Sequence, residues 1–379
     1  MNAFITAISA FLPGEPVEND ALDAYLGKVE RVSARTRQMI LAGNGIQTRY
    51  YALDPSTGET THSNAELAAE SVRGLGIEPE ALACLCCGTS SPDQLMPGHA
   101  SMVHGALGGG PCEVVSTSGI CLSGITAMKY AALSVASGIT ENAVATGSEL
   151  ASTYMHQDFF QVTAQRKKKS DSDKQRHAAF SFEAEFLRWM LSDGAGAVLI
   201  EPEPAQGKLS LRIDWIELTS HAHQLETCMY AGALKQAGGS LVGWREHLRA
   251  GRKDGIFTIK QDARLLNHEI IRVIVEESFS LARERHDLKP EQIDWFLPHY
   301  SSEFFHEPLM EKFIEAGFSV PKEKWFTNLH TKGNTGSASF YIMLEELFSS
   351  GKLRQGDRIL GMIPESGRFS VGWMLLTVV

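Results

Sequence analysis

Short, mostly apolar runs alternate along the chain with longer stretches whose apolar residues recur every three or four positions. Short apolar runs are what strands buried on both faces require, and the three-to-four spacing is what one face of a helix requires. The pattern predicts strands over 3–11, 82–88, 112–117, 142–148, 195–201, 209–219, 293–299, 324–329, 358–363 and 369–379. It predicts a helix from Asn267 to about Arg285, with Ile270, Ile271, Ile274, Val275, Ser278 and Ala282 on one face. Another begins near Thr335 and carries Phe340, Tyr341, Leu344 and Leu347. Strands that alternate with helices point to an α/β architecture.

The chain also has a rough two-fold echo. Each half holds a long helix, a strand ending at a chemically loaded turn, a further helix, and a glycine-containing pair of strands. The break Glu203-Pro204-Ala205-Gln206-Gly207-Lys208 separates the halves. We therefore expect an N-terminal half over 1–205 and a C-terminal half over 206–379. The polar stretch 165–180 carries the weakest structural signal.

Composition narrows the function classes. With 379 residues, 43% hydrophobic and 21% charged, the chain suits two or three domain-sized cores or one duplicated unit. A net charge of −10 argues against a general nucleic-acid binder, which needs a basic face to neutralise phosphates. The single basic run, Arg166 to Lys169 with Lys174 and Arg176 beyond it, reads as a solvated loop. Its sharper reading is a docking patch for an acidic partner such as an acyl carrier protein. The first residues resemble a signal peptide only superficially, because no basic start precedes them and Pro13 and Glu15 interrupt the apolar run. They read instead as a first strand. No apolar run reaches the roughly 18 residues a membrane span needs, so a cytoplasmic protein without membrane association is expected.

Six cysteines stand at 84, 86, 87, 112, 121 and 228, and the first three sit in an apolar run, Leu82-Ala83-Cys84-Leu85-Cys86-Cys87-Gly88. They read as buried free thiols rather than disulfides or zinc ligands. His221, His223 and Cys228 lie close in sequence, but no second ligand pair accompanies them, so no metal is expected.

Three segments carry chemistry. In Val114-Val115-Ser116-Thr117-Ser118-Gly119-Ile120-Cys121, an apolar strand enters a small-residue turn, and a helix follows. Cys121 is thereby placed near a helix N-terminus, where unpaired N–H groups and the dipole are expected to lower a thiol pKa. The same geometry serves a nucleophile at a strand-to-helix elbow; the plainer reading is a buried structural cysteine. Asp294-Trp295-Phe296-Leu297-Pro298-His299 ends a strand on an imidazole, where ligand-facing groups of α/β folds usually stand. Gly333-Asn334-Thr335-Gly336 opens a helix, and its plainer reading is a capped helix start.

Taken in this order and spacing, the segments resemble the 3-oxoacyl-(acyl-carrier-protein) synthase III group of the thiolase superfamily. Asn44-Gly45-Ile46-Gln47-Thr48-Arg49 resembles its early turn, Gly88-Thr89-Ser90-Ser91 through Met96-Pro97 its pocket-lining loop, and Asp193-Gly194-Ala195-Gly196-Ala197 its strand entry. Ser366-Gly367-Arg368-Phe369-Ser370-Val371-Gly372-Trp373 resembles its glycine-rich hairpin. The resemblance implies a thiolase-like fold with two similar α/β halves in an αβαβα layering, and an acyltransferase that forms carbon–carbon bonds. It implies an acyl group carried on Cys121, an oxyanion held by the N–H groups of Cys121 and Gly367, and an enolate held by His299 and Asn334. It also implies a homodimer in which Met96 closes the neighbouring subunit's pocket, substrates delivered as acyl carrier protein or coenzyme A thioesters, and no resident cofactor.

Three departures bear on the substrate. Met39 and Gly43 stand where the family's tryptophan and arginine meet the nucleotide of coenzyme A. Tyr300, Ser301, Ser302 and Phe304 replace the usual residues after the histidine, and the 151–190 segment is long. These features point to a specialised enzyme resembling the ketosynthase–cyclases that build dialkylresorcinol-type rings. The extender is malonyl-like or a 3-oxoacyl thioester. The latter needs a base, for which Glu149 in Ala145-Thr146-Gly147-Ser148-Glu149 is the candidate, against a plainer structural role. The rival readings are a non-catalytic partner subunit and a hydroxymethylglutaryl-type synthase.

Overall fold

A computed structural model describes residues 3–29, 32–161, 184–236, 238–249 and 256–379. The basic run Arg166 to Arg176 lies outside the described residues.

Nine strands form one mixed sheet: β1 Phe4–Phe11, β2 Cys84–Thr89, β3 Glu113–Ser118, β4 Ala143–Glu149, β5 Gly194–Glu201, β6 Leu211–Ser220, β7 Trp295–Pro298, β8 Arg358–Glu365 and β9 Ser370–Val378. Their order is β7-β8-β9-β6-β1-β5-β4-β2-β3. The five strands that precede the 203–208 break lie together at one end, and the four that follow it lie at the other. The ends join at β1, where Phe4 pairs with Glu201 of β5 and also with Arg212 of β6. Strand β2 is buried at every position, matching its unalternating apolar run. Edge strand β3 alternates between half-buried and exposed residues.

The helices that matter for the site are α1 Asn64–Arg73, α2 His99–Leu107, α3 Ser123–Ala136, α4 Ala263–Arg272, α5 His306–Glu315 and α6 Ser339–Ser349. Helix α1 starts with a capping box, in which the Ser63 hydroxyl accepts from the Glu66 N–H and Glu66 accepts from the Ser63 N–H. Helices α3 and α6 share one apolar core with strands from both ends of the sheet, including Cys86, Ala145 and Ile200 on one side and Ile216, Ile363 and Met374 on the other. They form the middle layer of the α/β architecture that the sequence implies. Close approach is made possible by Gly124, since a Cβ there would lie 2.4 Å from the Ser337 carbonyl oxygen.

The helix expected over 267–285 is present but irregular. After α4 the chain winds as a π-helix over Val273–Phe279 and returns to α geometry over Ser280–His286. Such wide turns cluster at functional sites. Nine of the ten expected strands form. The tenth, 324–329, does not: only Trp325 bridges Phe296, and the chain then turns into a short helix at Leu329–Lys332. Its apolar residues are used as side-chain packing instead, with the Trp325 and Phe296 rings 4.7 Å apart.

Candidate active site

Cys121, His299 and Asn334 open onto the same cavity. The segments that carry them are far apart in sequence, and the fold explains how they meet. Strand β3 ends at Ser118, the chain turns through Gly119 and Ile120, and Cys121 stands two residues before α3. Strand β7 delivers His299, whose N–H continues the pairing with β8 by donating to the Met362 carbonyl at 2.8 Å. Asn334 is held by its backbone: its N–H donates to Met190 at 3.0 Å, and its carbonyl accepts from Ser192 at 2.9 Å.

Side-chain orientation follows from local hydrogen bonds. Asn334 Oδ1 accepts from the Gly336 N–H at 3.0 Å, which leaves the amide NH₂ as its free end. Gly336 adopts φ 53° and packs so closely on Glu149 that a Cβ would lie 2.8 Å from its Cγ. Burial pulls the His299 pKa down to about 4, so at neutral pH the ring is uncharged and keeps one N–H donor.

Glu149 is in the cavity wall but is heavily engaged. Its carboxylate accepts from the Ser90 N–H and hydroxyl at 3.1 and 2.6 Å, from the Ser91 hydroxyl at 2.8 Å, and from the Ser337 N–H at 3.1 Å. Burial nevertheless pushes its pKa up. The carboxylate ties the end of β4 to the loop after β2 and to the turn before α6.

For Cys121 the sequence expectation of a lowered thiol pKa is reversed. Burial pushes the pKa up first, and the negative charges of Glu365 and Glu149 push it further. The local cause is visible in the hydrogen bonding. N–H groups beside the sulfur are already taken: Glu365 Oε2 accepts from Ile120 at 2.9 Å and from Leu122 at 3.4 Å. The carboxylate fills the site where the helix N-terminus would otherwise favour a thiolate.

Gly367 is not among the residues lining the cavity, although Pro364 and Ser366 on the same hairpin are. Its carbonyl accepts from the Cys228 N–H at 2.9 Å, which fixes the peptide plane of the turn. Met96 is 84% exposed and lies outside this chain's own cavity. Tyr300 and Ser301 line the cavity, whereas Phe304 is exposed, as are Met39 and Gly43 on a helix surface. Of the described cysteines all are free, and all but Cys112 are buried. Among the described residues no cluster could hold a metal ion; His221 pairs with Glu277 at 2.7 Å instead. No helix among them is long and apolar enough to cross a membrane.

Sequence reasoning missed most of the cavity wall. Its apolar lining includes Leu266, Ile270, Ile271 and Ile274 on α4 and the π-helix, Leu309 on α5, and Leu187, Met190 and Leu191. It also missed the polar pair at the hairpin, where Gln261 Nε2 donates to the Ser366 hydroxyl at 2.8 Å. Glu365 was passed over too, although a charge between Pro364 and Ser366 at the end of an apolar strand was a readable signal.

Residues 283–374 match the family described as 3-oxoacyl-[acyl-carrier-protein] synthase III C terminal. The chain is 24% identical over 378 residues to the β-ketoacyl-[acyl-carrier-protein] synthase III of Clostridium perfringens strain SM101, covering 99% of both. Among solved structures it is similar to a single-residue variant of Xanthomonas campestris OleA, with a TM-score of 0.76, 20% identity, and coverage of 100% of this chain and 98% of that one. It is also similar to AbyA1, a tetronic acid condensing enzyme, with a TM-score of 0.74, 18% identity and 99% coverage of both. Full-length similarity to the synthases, the family match over the C-terminal part and the shared fold lead to one conclusion: the chain is similar along its length to 3-oxoacyl-(acyl-carrier-protein) synthases III, its residues 283–374 match that family, and it has their thiolase-like fold.

Proposed function

We propose that the protein is a Cys-His-Asn condensing acyltransferase that joins an acyl thioester to an extender thioester. The observation that carries this reading is the single cavity onto which Cys121, His299 and Asn334 open from both halves of the chain. In the first half-reaction the Cys121 sulfur attacks the thioester carbonyl. The incoming carbon–sulfur bond breaks, and the departing thiolate takes up the proton that Cys121 gives up. Backbone N–H groups of Cys121 and Gly367 stabilise the tetrahedral oxyanion.

In the second half-reaction a malonyl-type donor loses carbon dioxide, leaving an enolate. The N–H of neutral His299 and the Asn334 amide donate to the enolate oxygen. Uncharged donors suit this task because they bind the developing charge more strongly than the uncharged ground state. The carbanion attacks the acyl carbon on Cys121, the carbon–sulfur bond breaks, and a 3-oxoacyl product leaves. A 3-oxoacyl donor would instead need Glu149 to take its α-proton. The four donors already on that carboxylate favour the malonyl-type extender.

The finer assignment is specialised lipid or polyketide condensation, resembling dialkylresorcinol-type synthesis, with carrier-protein or coenzyme A thioesters as substrates. Its support is the largely apolar lining of the cavity, which is compatible in chemistry with an alkyl chain, and the similarity in fold to a tetronic acid condensing enzyme and to OleA. The working unit in this proposal has two similar halves, 1–205 carrying Cys121 and 206–379 carrying His299 and Asn334, and is a homodimer joined at edge strand β3. Exposed Leu95, Met96, Met102 and Val114 around that edge support the pairing.

The test is direct. Wild type and Cys121→Ala are incubated with acyl thioesters of graded length and examined by intact mass. An acyl adduct on wild type alone is expected; no adduct on wild type would overturn the reading in favour of a non-catalytic partner subunit.

A further inference from the structure

Glu365 is the least expected group near the reactive sulfur. It ends β8, just before the hairpin that carries Ser366 and Gly367. Its Oε2 accepts from the N–H groups of both residues that flank Cys121, and a Cβ on Gly119 would lie 3.0 Å from that oxygen. The other carboxylate oxygen faces the hairpin, 3.2 Å from where a Cβ on Gly367 would be. One carboxylate thus contacts the turn before α3 and the turn after β8, the two places proposed to supply oxyanion donors. Among the described residues no lysine, arginine or histidine pairs with it.

We propose that Glu365 is a positioning residue for Cys121: its carboxylate clamps the nucleophile turn through the N–H groups of Ile120 and Leu122 and places an unbalanced carboxylate beside the sulfur. The clamp fixes where the sulfur points. The charge adds to burial in keeping the resting thiol protonated and so in protecting it from stray electrophiles, because the thiolate is the nucleophile. Burial raises the pKa of Glu365 itself, which brings its neutralisation closer to the working range. The other titratable groups that open onto the cavity with Cys121 are Glu149 from the end of β4, His299 from the end of β7, and Tyr300. Glu149 acts in the same direction as Glu365 but is the smaller influence, and His299 is uncharged at neutral pH.

This inference rests on Cys121 being the reactive thiol, and its test separates the two ideas. Wild type, Glu365→Gln and Glu365→Ala are alkylated with iodoacetamide across a pH series, and modification at Cys121 is located by peptide mass. Glu365→Gln keeps an acceptor for the clamp and removes the charge. The expected result is a Cys121 profile displaced to lower pH, with alkylation about tenfold faster at neutral pH, in both variants. Acyl loading is measured alongside, with melting temperature as the control for folding. A profile in Glu365→Gln that superimposes on wild type would overturn the charge role, even if Cys121 is acylated normally. Failure of acyl loading on wild type with a displaced alkylation profile would instead sink the acyltransferase reading and leave the role of Glu365 standing.

Discussion

The Tyr341 hydroxyl donates to the Gly124 carbonyl at 2.7 Å, joining the helix after Asn334 to the helix after Cys121. Both partners are buried in the middle layer. The contact joins the segments that bring Cys121 and Asn334 to one cavity.

Replacing Tyr341 with Phe removes this hydrogen bond and keeps the ring. The expected cost is about 1 kcal/mol in denaturant unfolding, with a modest loss of turnover. Gly124→Ala should be far worse, because the added Cβ meets the Ser337 carbonyl at 2.4 Å. Helices α3 and α6 must then separate, and condensation should fall at least tenfold while the protein still folds, by the arithmetic that a misplaced catalytic group follows. Activity and unfolding curves measured on both variants check the pair.

His299 makes stability depend on pH. Its folded pKa, near 4, lies below the ordinary value of 6.5. Between those values the unfolded chain binds more protons than the folded one, so this contribution is fully present above pH 6.5 and is lost as pH falls toward 4. His99 is lowered in the same way by burial and adds to the same window. Each is worth roughly 3 kcal/mol when fully protonated in the unfolded state. His299→Gln should flatten the slope of urea midpoints between pH 6.5 and 4 by about half; an unaltered slope would refute the assignment. Condensation, but not acylation of Cys121, should be lost in the same variant.

Glu149→Gln separates the two donor chemistries. Gln can still accept from the Ser90 and Ser337 N–H groups, so the fold and Cys121 acylation should survive. With a malonyl-type donor most turnover should remain. Loss of condensation with that donor would mean that the carboxylate does more than hold the loop after β2, and product formation followed by mass decides the matter.

Chain-length selection should reside on α4. Ile270→Phe places extra volume at the apolar wall of the cavity, and long acyl thioesters should lose about tenfold in kcat/KM while short ones are little changed. Uniform loss across chain lengths would locate the acyl chain elsewhere.

Much of the scaffold was legible because its strands are short, continuous and apolar. Strands β2 and β4 are buried on both faces, and their sequences show it. Cys121, His299 and Asn334 were readable because each closes a strand or opens a helix at a small-residue turn. Residues 324–329 misled because Trp325 and Phe326 are as apolar as a strand requires but serve as packing. The thiol's environment was not legible either. A helix N-terminus is a local signal, whereas Glu365 reaches it from a position 245 residues away in the chain. The cavity wall escaped for a similar reason: Ile270 and Ile274 lie on the buried face predicted for their helix, and only the tertiary arrangement decides whether that face meets protein or empty space.

The π-helix at Val273–Phe279 adds a consequence for how such an enzyme can diversify. A widened turn stores one more residue than an α-helix of equal rise, so a single deletion there can be absorbed by reverting to ordinary winding. Ile270 and Ile271 just before it and Ile274 within it would then rotate against the rest of the wall, reshaping the cavity without touching Cys121, His299 or Asn334. Insertions and deletions at this one place offer a route to new acyl preferences that point substitutions in the cavity do not.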